Sequence, residues 1–370
     1  MDFSLSEEQR AIQATFHRFA AEEIRPCAAE LDAIPEFPRV LFRQAGELGF
    51  FAMRYPEPDG RGADVLSYVL AVEELSWGSL AVAAACTMQS LMGTYFLGRF
   101  ASPTIRERLF LPALRGDLVG AICMTEPDAG SDLGAITTRA VANGGGHLLT
   151  GTKTWVTSAP VADFFTVFAK TGEKSLGVFL VERGAPGLRL GRTIEKMGVR
   201  ASLTTEVFFE DTPATCALGT PGEGAAYLKD ILAEIRVMTA ALALGVARAA
   251  LEDARAYAAE RRQFGRPIRE FQAVGSHLAE MAVDLEAARR LTHWAAWRSD
   301  QKLPFATEAA MAKLFASEAA WRICDRAARV LASYGYVEES PIARYLRDVR
   351  FVLIGGGTSE ILRVNIAREL

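Results

Sequence analysis

The segment VGAICMTEPDAGSD, residues 119–132, marks the place where the hydrophobic pattern of the chain changes. Before it, apolar residues recur at intervals of three and four, which is typical of α-helices that bury one face. After it come short runs rich in β-branched and aromatic residues, such as HLLTGTKTWVT (147–157) and TTEVFFED (204–211), separated by turn-forming residues. Helical spacing returns near residue 222 and continues to residue 370. The sequence therefore predicts a helical, a β and a second helical part, in that order.

This order predicts a multidomain α+β fold. Its parts are an N-terminal α-helical domain (1–117), a middle antiparallel β-barrel or sandwich domain (118–221) and a C-terminal helical bundle domain (222–370). The first helix is predicted to begin at a capping box formed by Ser6 and Gln9. Further helices are predicted over 37–48, 65–76, 80–97, 105–114, 223–260, 268–299 and 305–333.

The composition argues against several functional classes. The 370 residues carry a net charge of -4, which gives no electrostatic reason to expect nucleic acid or an acidic membrane as a partner. Five separated cysteines and four histidines lack the spacing of a metal site and suit a reducing cytoplasm. The apolar stretch 237–247 is too short to span a bilayer, and the acidic N-terminus is unlike a signal peptide. We therefore expect a cytoplasmic protein that binds neither a metal nor a membrane.

The loop MTEPDAGSD, residues 124–132, carries the first candidate chemistry. Gly130 would let the backbone approach a ligand closely, and Thr125 and Ser131 offer hydroxyls beside exposed N–H groups. Such a loop would hold a phosphate or the polar edge of a flat ring. The simpler interpretation of the same residues is a decorated β-turn.

Two further segments contain aromatic side chains beside polar ones. In strand 153–157, Trp155 and Thr157 would share one face and could cover and hydrogen-bond a flavin ring. After the long helix that ends near residue 260, Arg261 could bind phosphate and Phe264 could stack on a ring. The alternatives are a core tryptophan and a helix C-terminus whose cations complement the helix dipole.

Together these motifs resemble the acyl-CoA dehydrogenase family over essentially the whole chain. The resemblance is carried by SEEQR (6–10), ICMTEPDAGSD (122–132), GTKTWVTSA (151–159), ERRQFGRPIREFQ (260–272), LASYGY (331–336) and GGGTSEILRVNIAREL (355–370). It implies an FAD flavoprotein that removes the α and β hydrogens of an acyl thioester. It also implies a role in fatty acid metabolism, a homotetramer or dimer, and an electron-transfer flavoprotein or another electron acceptor as partner.

The family's site residues carry over to matching positions of this chain. The implied FAD contacts are Ile122, Met124, Thr125, Gly130, Ser131, Trp155, Val156, Thr157, Arg261, Gln263, Phe264, Gln272, Arg329, Ser333, Thr358 and Glu360. Those from Arg261 to Gln272 would reach the flavin of a neighbouring subunit. The implied contacts to the acyl thioester are Ser131, Arg236 and Arg368. The chain departs from the family at Arg329, where many relatives have Gln, and at Ala332-Ser333, where many have Gly-Gly.

The most consequential departure lies in the glycine run 355–357. Many members of the family have Tyr-Glu-Gly-Thr here, and that Glu removes the α-proton, whereas this chain has Gly356 at the same position. Some relatives with Gly place the Glu immediately before an Arg on a central helix, but that residue is Ile235 here. Glu234 lies one residue earlier, and a local π-bulge would be needed to turn it toward the site. Glu234 is therefore the predicted base, with a solvated surface acid as the alternative.

Three functions follow from this pattern. The first is an FAD-dependent dehydrogenase that acts on an acyl group attached to CoA or to an acyl carrier protein, since both present the same pantetheine arm. The second is a flavin-dependent monooxygenase on the same fold, because a site without a base could use reduced flavin to activate oxygen. The third is a protein that binds an acyl thioester or FAD without catalysis.

Overall fold

The N-terminal part of the protein is built from short helices. The computed structural model describes residues 4–173 and 175–370, so the first three residues of the predicted N-terminal domain lie outside the described residues. The helices are α1 (Glu7–Phe19), α2 (Arg25–Ala33), α3 (Arg39–Glu47), α4 (Val65–Gly78), α5 (Leu80–Met88), α6 (Tyr95–Phe100), α7 (Pro103–Ile105) and α8 (Leu111–Leu114). The predicted capping box is confirmed, because Ser6 Oγ accepts from the Gln9 N–H and Gln9 Oε1 accepts from the Ser6 N–H.

Three π-helical turns interrupt these helices, at Ala20–Ile24, Gln89–Gly93 and Arg106–Phe110. The first and the third each end two residues before a proline, Pro26 and Pro112. Proline has no N–H to continue the helical hydrogen-bond ladder, so a local change of winding is expected there. These turns explain why the predicted continuous helix over 105–114 is divided in the structure.

By length and composition, the stretch Leu80–Phe100 could cross a bilayer, unlike the shorter apolar stretch 237–247. Its most apolar window is 89% buried inside the protein. Core helices of large proteins pass the same test. The stretch is therefore accounted for as part of the core.

The middle part is a single sheet in the described part of the chain. Its strands are β1 (Gly120–Cys123), β2 (Arg139–Asn143), β3 (Gly146–Thr157), β4 (Phe164–Lys170), β5 (Leu176–Glu182), β6 (Leu188–Leu190), β7 (Thr204–Pro213) and β8 (Cys216–Ala217). They are ordered β6-β7-β3-β2-β4-β5-β8, and β1 pairs with β4. The pairings of β4 with β1 and with β2 are parallel, so the sheet is mixed rather than wholly antiparallel as predicted. The cause is the β2–β3 hairpin, after which the chain passes β2 and returns as β4 on its other side.

Long helices make up the C-terminal part. They are α9 (Gly224–Glu260), α10 (Gln272–Asp300), α11 (Ala306–Leu331), α12 (Pro341–Asp348) and α13 (Ser359–Ala367), with a small hairpin of β9 (Arg262–Gln263) and β10 (Arg266–Pro267) between α9 and α10. Helix α9 packs against α10 and α11 and also against α4, so it joins the two helical parts. The predicted order of a helical, a β and a helical part is confirmed.

Gly245 sets how closely α9 approaches α4. A Cβ at this position would lie 2.5 Å from the Ser76 Cβ and would also collide with the carbonyl oxygen of Glu73. Across the same contact, the Ser76 hydroxyl donates to the carbonyl oxygen of Leu242 at 2.6 Å. The two helices therefore meet nearly backbone to backbone, which only a glycine permits.

We expect Gly245→Ala to destabilise the protein by about 1–3 kcal/mol, because overpacking forces apart helices that cannot yield without moving backbone. Gly275→Ala is the matched control, since a Cβ there meets only the Arg269 carbonyl oxygen at 3.7 Å. That change should be neutral or stabilise by about 0.5–1 kcal/mol, because alanine is the better helix former. Denaturant unfolding of both variants is the measurement, and equal stabilities would contradict the close-contact argument.

Candidate active site

A buried ion pair holds the loop 124–132 against β3. The Glu126 carboxylate accepts hydrogen bonds from the N–H groups of Thr137 (2.6 Å) and Thr138 (2.9 Å) and from Lys153 Nζ (2.9 Å). Lys153 Nζ also donates to the carbonyl oxygen of Met124 at 2.9 Å. The Lys153 and Glu126 side chains are only 0% and 4% exposed. The ion pair therefore ties the loop to β3.

The charges of this pair are fixed by its surroundings. Burial alone would raise the pKa of Glu126, but the hydrogen bonds from residues 137–138 and from Lys153 lower it to about 2. Burial lowers the pKa of Lys153, and Glu126 opposes that change. The sequence prediction missed both residues as a pair, although both stand inside the motifs MTEPDAGSD and GTKTWVT. Their separation of 27 residues leaves no local pattern to detect.

Trp155 leaves the regular strand beside this loop. The register of β3 against β7 shifts between Lys153 and Val156, and Trp155 has a φ of 57° with its side chain 58% exposed. A positive φ is strained for a bulky residue, and such strain is concentrated at functional sites. The bulge presents the indole outward instead of burying it. The alternative of a core tryptophan is therefore wrong.

The loop and the indole together fit a flat ring with polar edges. Thr154 N–H donates to the Thr125 carbonyl oxygen at 2.9 Å, which places the loop directly beside Trp155. The hydroxyls of Thr125 and Ser131 have no hydrogen-bond partner in the described part of the chain and are available to a ligand. Ile122 and Val156 are buried, so only their backbone atoms would be available to a ligand.

The hairpin β9–β10 projects a second aromatic ring into solvent. Phe264 is 92% exposed with a φ of 50°, and it forms the turn of the hairpin together with Gly265. Arg261, Gln263 and Gln272 are also exposed. Among the described residues, no hydrogen bond joins the side chains of these residues to the loop 124–132. Within the described residues, the two halves of the predicted FAD site are therefore not joined by side-chain hydrogen bonds.

The remaining predicted contacts lie near the C-terminus. Arg329 pairs with Asp325 at 2.8 Å, and Ser333 lies exposed in the short 3₁₀ turn after α11. Thr358 caps α13 by accepting from the Ile361 N–H. Glu360 and Arg368 are exposed at the two ends of α13. The structure thus gives Thr358 a capping role that the sequence prediction did not assign to it.

The glycine run 355–357 forms a turn against α9. Gly356 has a φ of 72°, and a Cβ there would lie 2.9 Å from Thr239 Oγ1 and 3.7 Å from Ile235 Cγ2. Position 356 therefore faces positions 235 and 239, which are one helical turn apart on the same face of α9. Neither Gly356 nor Ile235 can accept a proton. The two positions at which the family resemblance implies a base face each other, and both lack an acid.

Glu234 is directed away from this turn. Its carboxylate pairs with Arg54 at 2.5 Å, and both side chains are largely buried. Helix α9 is a regular α-helix from Gly224 to Glu260, so it lacks the π-bulge that Glu234 would need, and Glu234 stays about 100° around the helix from Ile235. The alternative of a solvated surface acid is equally unsupported. The role of Glu234 as a base remains a prediction, but the change of helix winding that it would require is not present.

In comparisons with known proteins, family models described as the N-terminal, middle and C-terminal domains of acyl-CoA dehydrogenase match residues 6–117, 121–212 and 222–370. Benzylmalonyl-CoA dehydrogenase of Aromatoleum aromaticum is 59% identical, with all of both chains covered. The structure of butyryl-CoA dehydrogenase from Megasphaera elsdenii has a TM-score of 0.96 at 34% identity, covering 100% of this chain and 99% of that one. The structure of PigA with FAD and proline has a TM-score of 0.96 at 30% identity, with the same coverage.

We expect Glu126→Gln to destabilise the protein by about 3–5 kcal/mol at neutral pH, because it leaves the Lys153 ammonium buried without its counter-charge. The folded-state pKa of Glu126 is about 2, below the ordinary value of 4.5. The stability that the ionised Glu126 contributes to the fold should therefore be complete above pH 4.5 and should be lost as the pH falls toward 2.

The matched control is Glu210→Gln, which breaks the exposed pair with Arg189 and should cost about 0–1 kcal/mol. Thermal unfolding of both variants and of the wild type between pH 3 and 7 is the measurement. If the two substitutions lower the stability of the protein equally, Glu126 does not hold the loop 124–132 in place.

Proposed function

The chain belongs to the acyl-CoA dehydrogenase family. We propose that its substrate is an acyl thioester whose α-carbon also carries a carboxylate group. It is an oxidoreductase that acts on the CH–CH bond of an acyl thioester, and its family is one of flavoproteins. The relatives' names favour this dehydrogenase activity over oxygen activation and over binding without catalysis.

One observation carries the proposal: Gly356 and Ile235 face each other without an acid between them. An ordinary acyl thioester needs a base to remove its α-proton. The relative that is 59% identical is named for benzylmalonyl-CoA, a thioester with a carboxylate on its α-carbon. A substrate of that class would bring its own leaving group to the carbon from which a base would otherwise remove a proton.

The reaction balances without a base. The bond between the α-carbon and the carboxylate breaks, CO2 leaves, and the electron pair of that bond forms the α,β double bond as a hydride leaves the β-carbon. A bound flavin supplies the hydride acceptor. The products are an enoyl thioester, CO2 and the reduced acceptor, and no proton is released.

Residues of the glycine turn would orient the substrate for this step. Neither Gly356 nor Ile235 brings an acid to the turn, and the hydroxyl of Thr239 is the polar side-chain group nearest to position 356. The Gly356 N–H has no hydrogen-bond acceptor among the described residues and could donate to the thioester carbonyl. Such a donor stabilises the negative charge that develops on that oxygen.

We infer that the flavin is FAD and that a homotetramer completes its site. Trp155 with the hydroxyls of Thr125 and Ser131 would hold the ring from one subunit, and the exposed Phe264 hairpin with Arg261 would reach it from another. The presence of FAD in the PigA complex supports this assignment. Electrons would then pass to an electron-transfer flavoprotein or another acceptor. The free state of all five cysteines agrees with the cytoplasm as the compartment.

The function is tested by mixing the flavin-loaded protein anaerobically with benzylmalonyl-CoA and with 3-phenylpropionyl-CoA, which lacks only the carboxylate. We expect the flavin to bleach with the first thioester and to release one CO2 per flavin. Deuterium placed on the α-carbon should remain in the enoyl product, because no α-proton is removed. Bleaching by 3-phenylpropionyl-CoA at a similar rate, or loss of the α-deuterium, would show that the protein has a base and that the proposal is wrong.

Ile235→Glu should introduce a base, because its side chain would enter the space that faces Gly356. A base typically contributes about 10²–10⁴ in rate, so we expect bleaching by 3-phenylpropionyl-CoA to appear or to rise by that factor. Ile235→Gln is the matched control, with the same size and hydrogen bonding but no basicity.

Glu234→Gln completes this test. Under the proposal it should leave the bleaching rate with benzylmalonyl-CoA essentially unchanged, provided that the flavin content is unchanged. A loss of about 10²–10⁴ in that rate would instead identify Glu234 as the base.

A further inference from the structure

A buried carboxylate joins the middle part of the protein to the C-terminal part. Asp348 is the last residue of α12 and is 2% exposed. Its Oδ1 accepts a hydrogen bond of 2.6 Å from the N–H of Val199, which lies in the loop 191–203 between β6 and β7. In the described part of the chain, Asp348 makes no ion pair. Its carboxylate is therefore held by a backbone donor from another part of the protein, not by a cation.

The surroundings of Asp348 leave it ionised at neutral pH. Burial raises its pKa to about 6, whereas the hydrogen bond from Val199 lowers it. The nearby Asp32 raises this pKa, and Arg344 and Arg347 lower it. The Val199 N–H therefore donates a charge-assisted hydrogen bond, which is stronger than one between neutral groups.

Val199 has a backbone conformation that its side chain disfavours. Its φ is 51°, which is strained for a β-branched residue, and such strain persists only where the surroundings impose it. Gly198 lies so close to α12 that a Cβ there would be 2.4 Å from the carbonyl oxygen of Arg347. The loop therefore packs directly on the backbone at the end of α12.

The N-terminal part of the protein is bound at the same place. Arg347 Nη1 donates to Asp32 Oδ1 at 3.0 Å and to the carbonyl oxygen of Met197 at 3.1 Å. Asp32 belongs to α2, and Met197 belongs to the loop 191–203. All three parts of the chain thus meet at the end of α12.

The other end of the loop is joined to the end of β3. The Ser158 N–H donates to the carbonyl oxygen of Leu203 at 2.7 Å, and Thr157 pairs with Thr204 at the start of β7. This is the segment that follows the bulge in β3. The loop 191–203 therefore connects α12 with the strand that would hold the flavin.

Hydrogen bonds within the loop restrict its backbone. Lys196 Nζ donates to the carbonyl oxygen of Ser202 at 3.0 Å, and the Ser202 N–H donates to the carbonyl oxygen of Val199 at 3.1 Å. The Ile194 N–H donates to the carbonyl oxygen of Thr204 at 2.8 Å. Networks of this kind carry a displacement from one end of a segment to the other.

Beyond Asp348 the chain leads directly into the glycine turn. The 3₁₀ segment Val349–Leu353 follows α12, and Val352 within it is fully buried. The Gly355 N–H then donates to the carbonyl oxygen of Phe351 at 2.9 Å. Asp348 is therefore followed by a short, hydrogen-bonded segment that ends at the turn.

We propose that Asp348 is a positioning residue that fixes, through the loop 191–203, the distance between the end of β3 and the glycine turn. This inference rests on the proposed function, in which the first segment would hold the flavin and the second would adjoin the thioester. Hydride transfer requires the β-carbon and the flavin to be held in reacting geometry. A misplacement of about 1 Å can lower a rate by about 10²-fold.

Two substitutions at Asp348 separate its hydrogen bond from its charge. Asp348→Ala removes the acceptor, whereas Asp348→Asn keeps an oxygen acceptor without the charge. In the flavin-loaded protein, we expect Asp348→Ala to lower the rate of bleaching by saturating benzylmalonyl-CoA by about 10- to 100-fold, with little change in KM. Asp348→Asn should retain most of the wild-type rate. Asp230→Ala is the control, since it breaks an exposed pair with Arg99 and should leave the rate unchanged.

Hydrogen exchange measured by mass spectrometry gives a readout that does not depend on turnover. Without thioester, Asp348→Ala should speed exchange by about 10-fold or more at 191–203 and also at 354–358, because the lost hydrogen bond is to a charged group. Asp348→Asn should exchange nearly as the wild type does. If Asp348→Ala does not fold, Gly198→Ala provides the same comparison, because its Cβ would displace the loop from Arg347 without removing a polar group.

The outcomes distinguish this inference from the proposed function. If benzylmalonyl-CoA does not bleach the wild type, the proposed function is wrong, and the exchange rates still test the link between the two segments. Faster exchange at 191–203 without any change at 354–358 would overturn the role of Asp348. An unchanged bleaching rate in a folded Asp348→Ala would overturn it as well. Equal losses in the Ala and Asn variants would assign the effect to the charge and contradict positioning by the hydrogen bond to Val199.

Discussion

Helix α9 must remain regular over its whole length while it packs on α4, α10 and α11, and the site depends on this constraint. The close contact at Gly245 fixes the helix against α4, both along its axis and in rotation. Since each residue turns the helix by about 100°, that contact also determines which side chains reach the glycine turn. Ile235 and Thr239 face the turn, and Glu234 is directed to Arg54. A packing contact about two to three turns away thus influences which groups are available for chemistry.

Much of this fold follows from local patterns. The order of helical and β parts, the Ser6 capping box and most helix boundaries depend on residues within one or two turns of each other, so periodicity and capping chemistry predict them. The Glu126–Lys153 pair, the bulge at Trp155 and the orientation of Glu234 depend on contacts between distant segments. The motifs identified the segments that carry the site. They did not determine which way the side chains point.

The buried charges of the protein differ in how they are neutralised. Glu126 with Lys153, and Glu234 with Arg54, are closed pairs whose electrostatics do not require a ligand. Arg236 has no such partner in the described residues. Arg236 is only partly buried, so water can still solvate part of its guanidinium.

The backbone at Gly356 also has an evolutionary consequence. A glycine codon can become a glutamate codon through one base change, so an acid at this position looks easy to introduce. The φ of 72° would strain any side chain by about 1–3 kcal/mol, and the Thr239 hydroxyl occupies the space of its first carbon. A Glu at this position would therefore require that Thr239 or the turn itself shift. The present turn thus opposes an acid at position 356 even though a single base change could encode one.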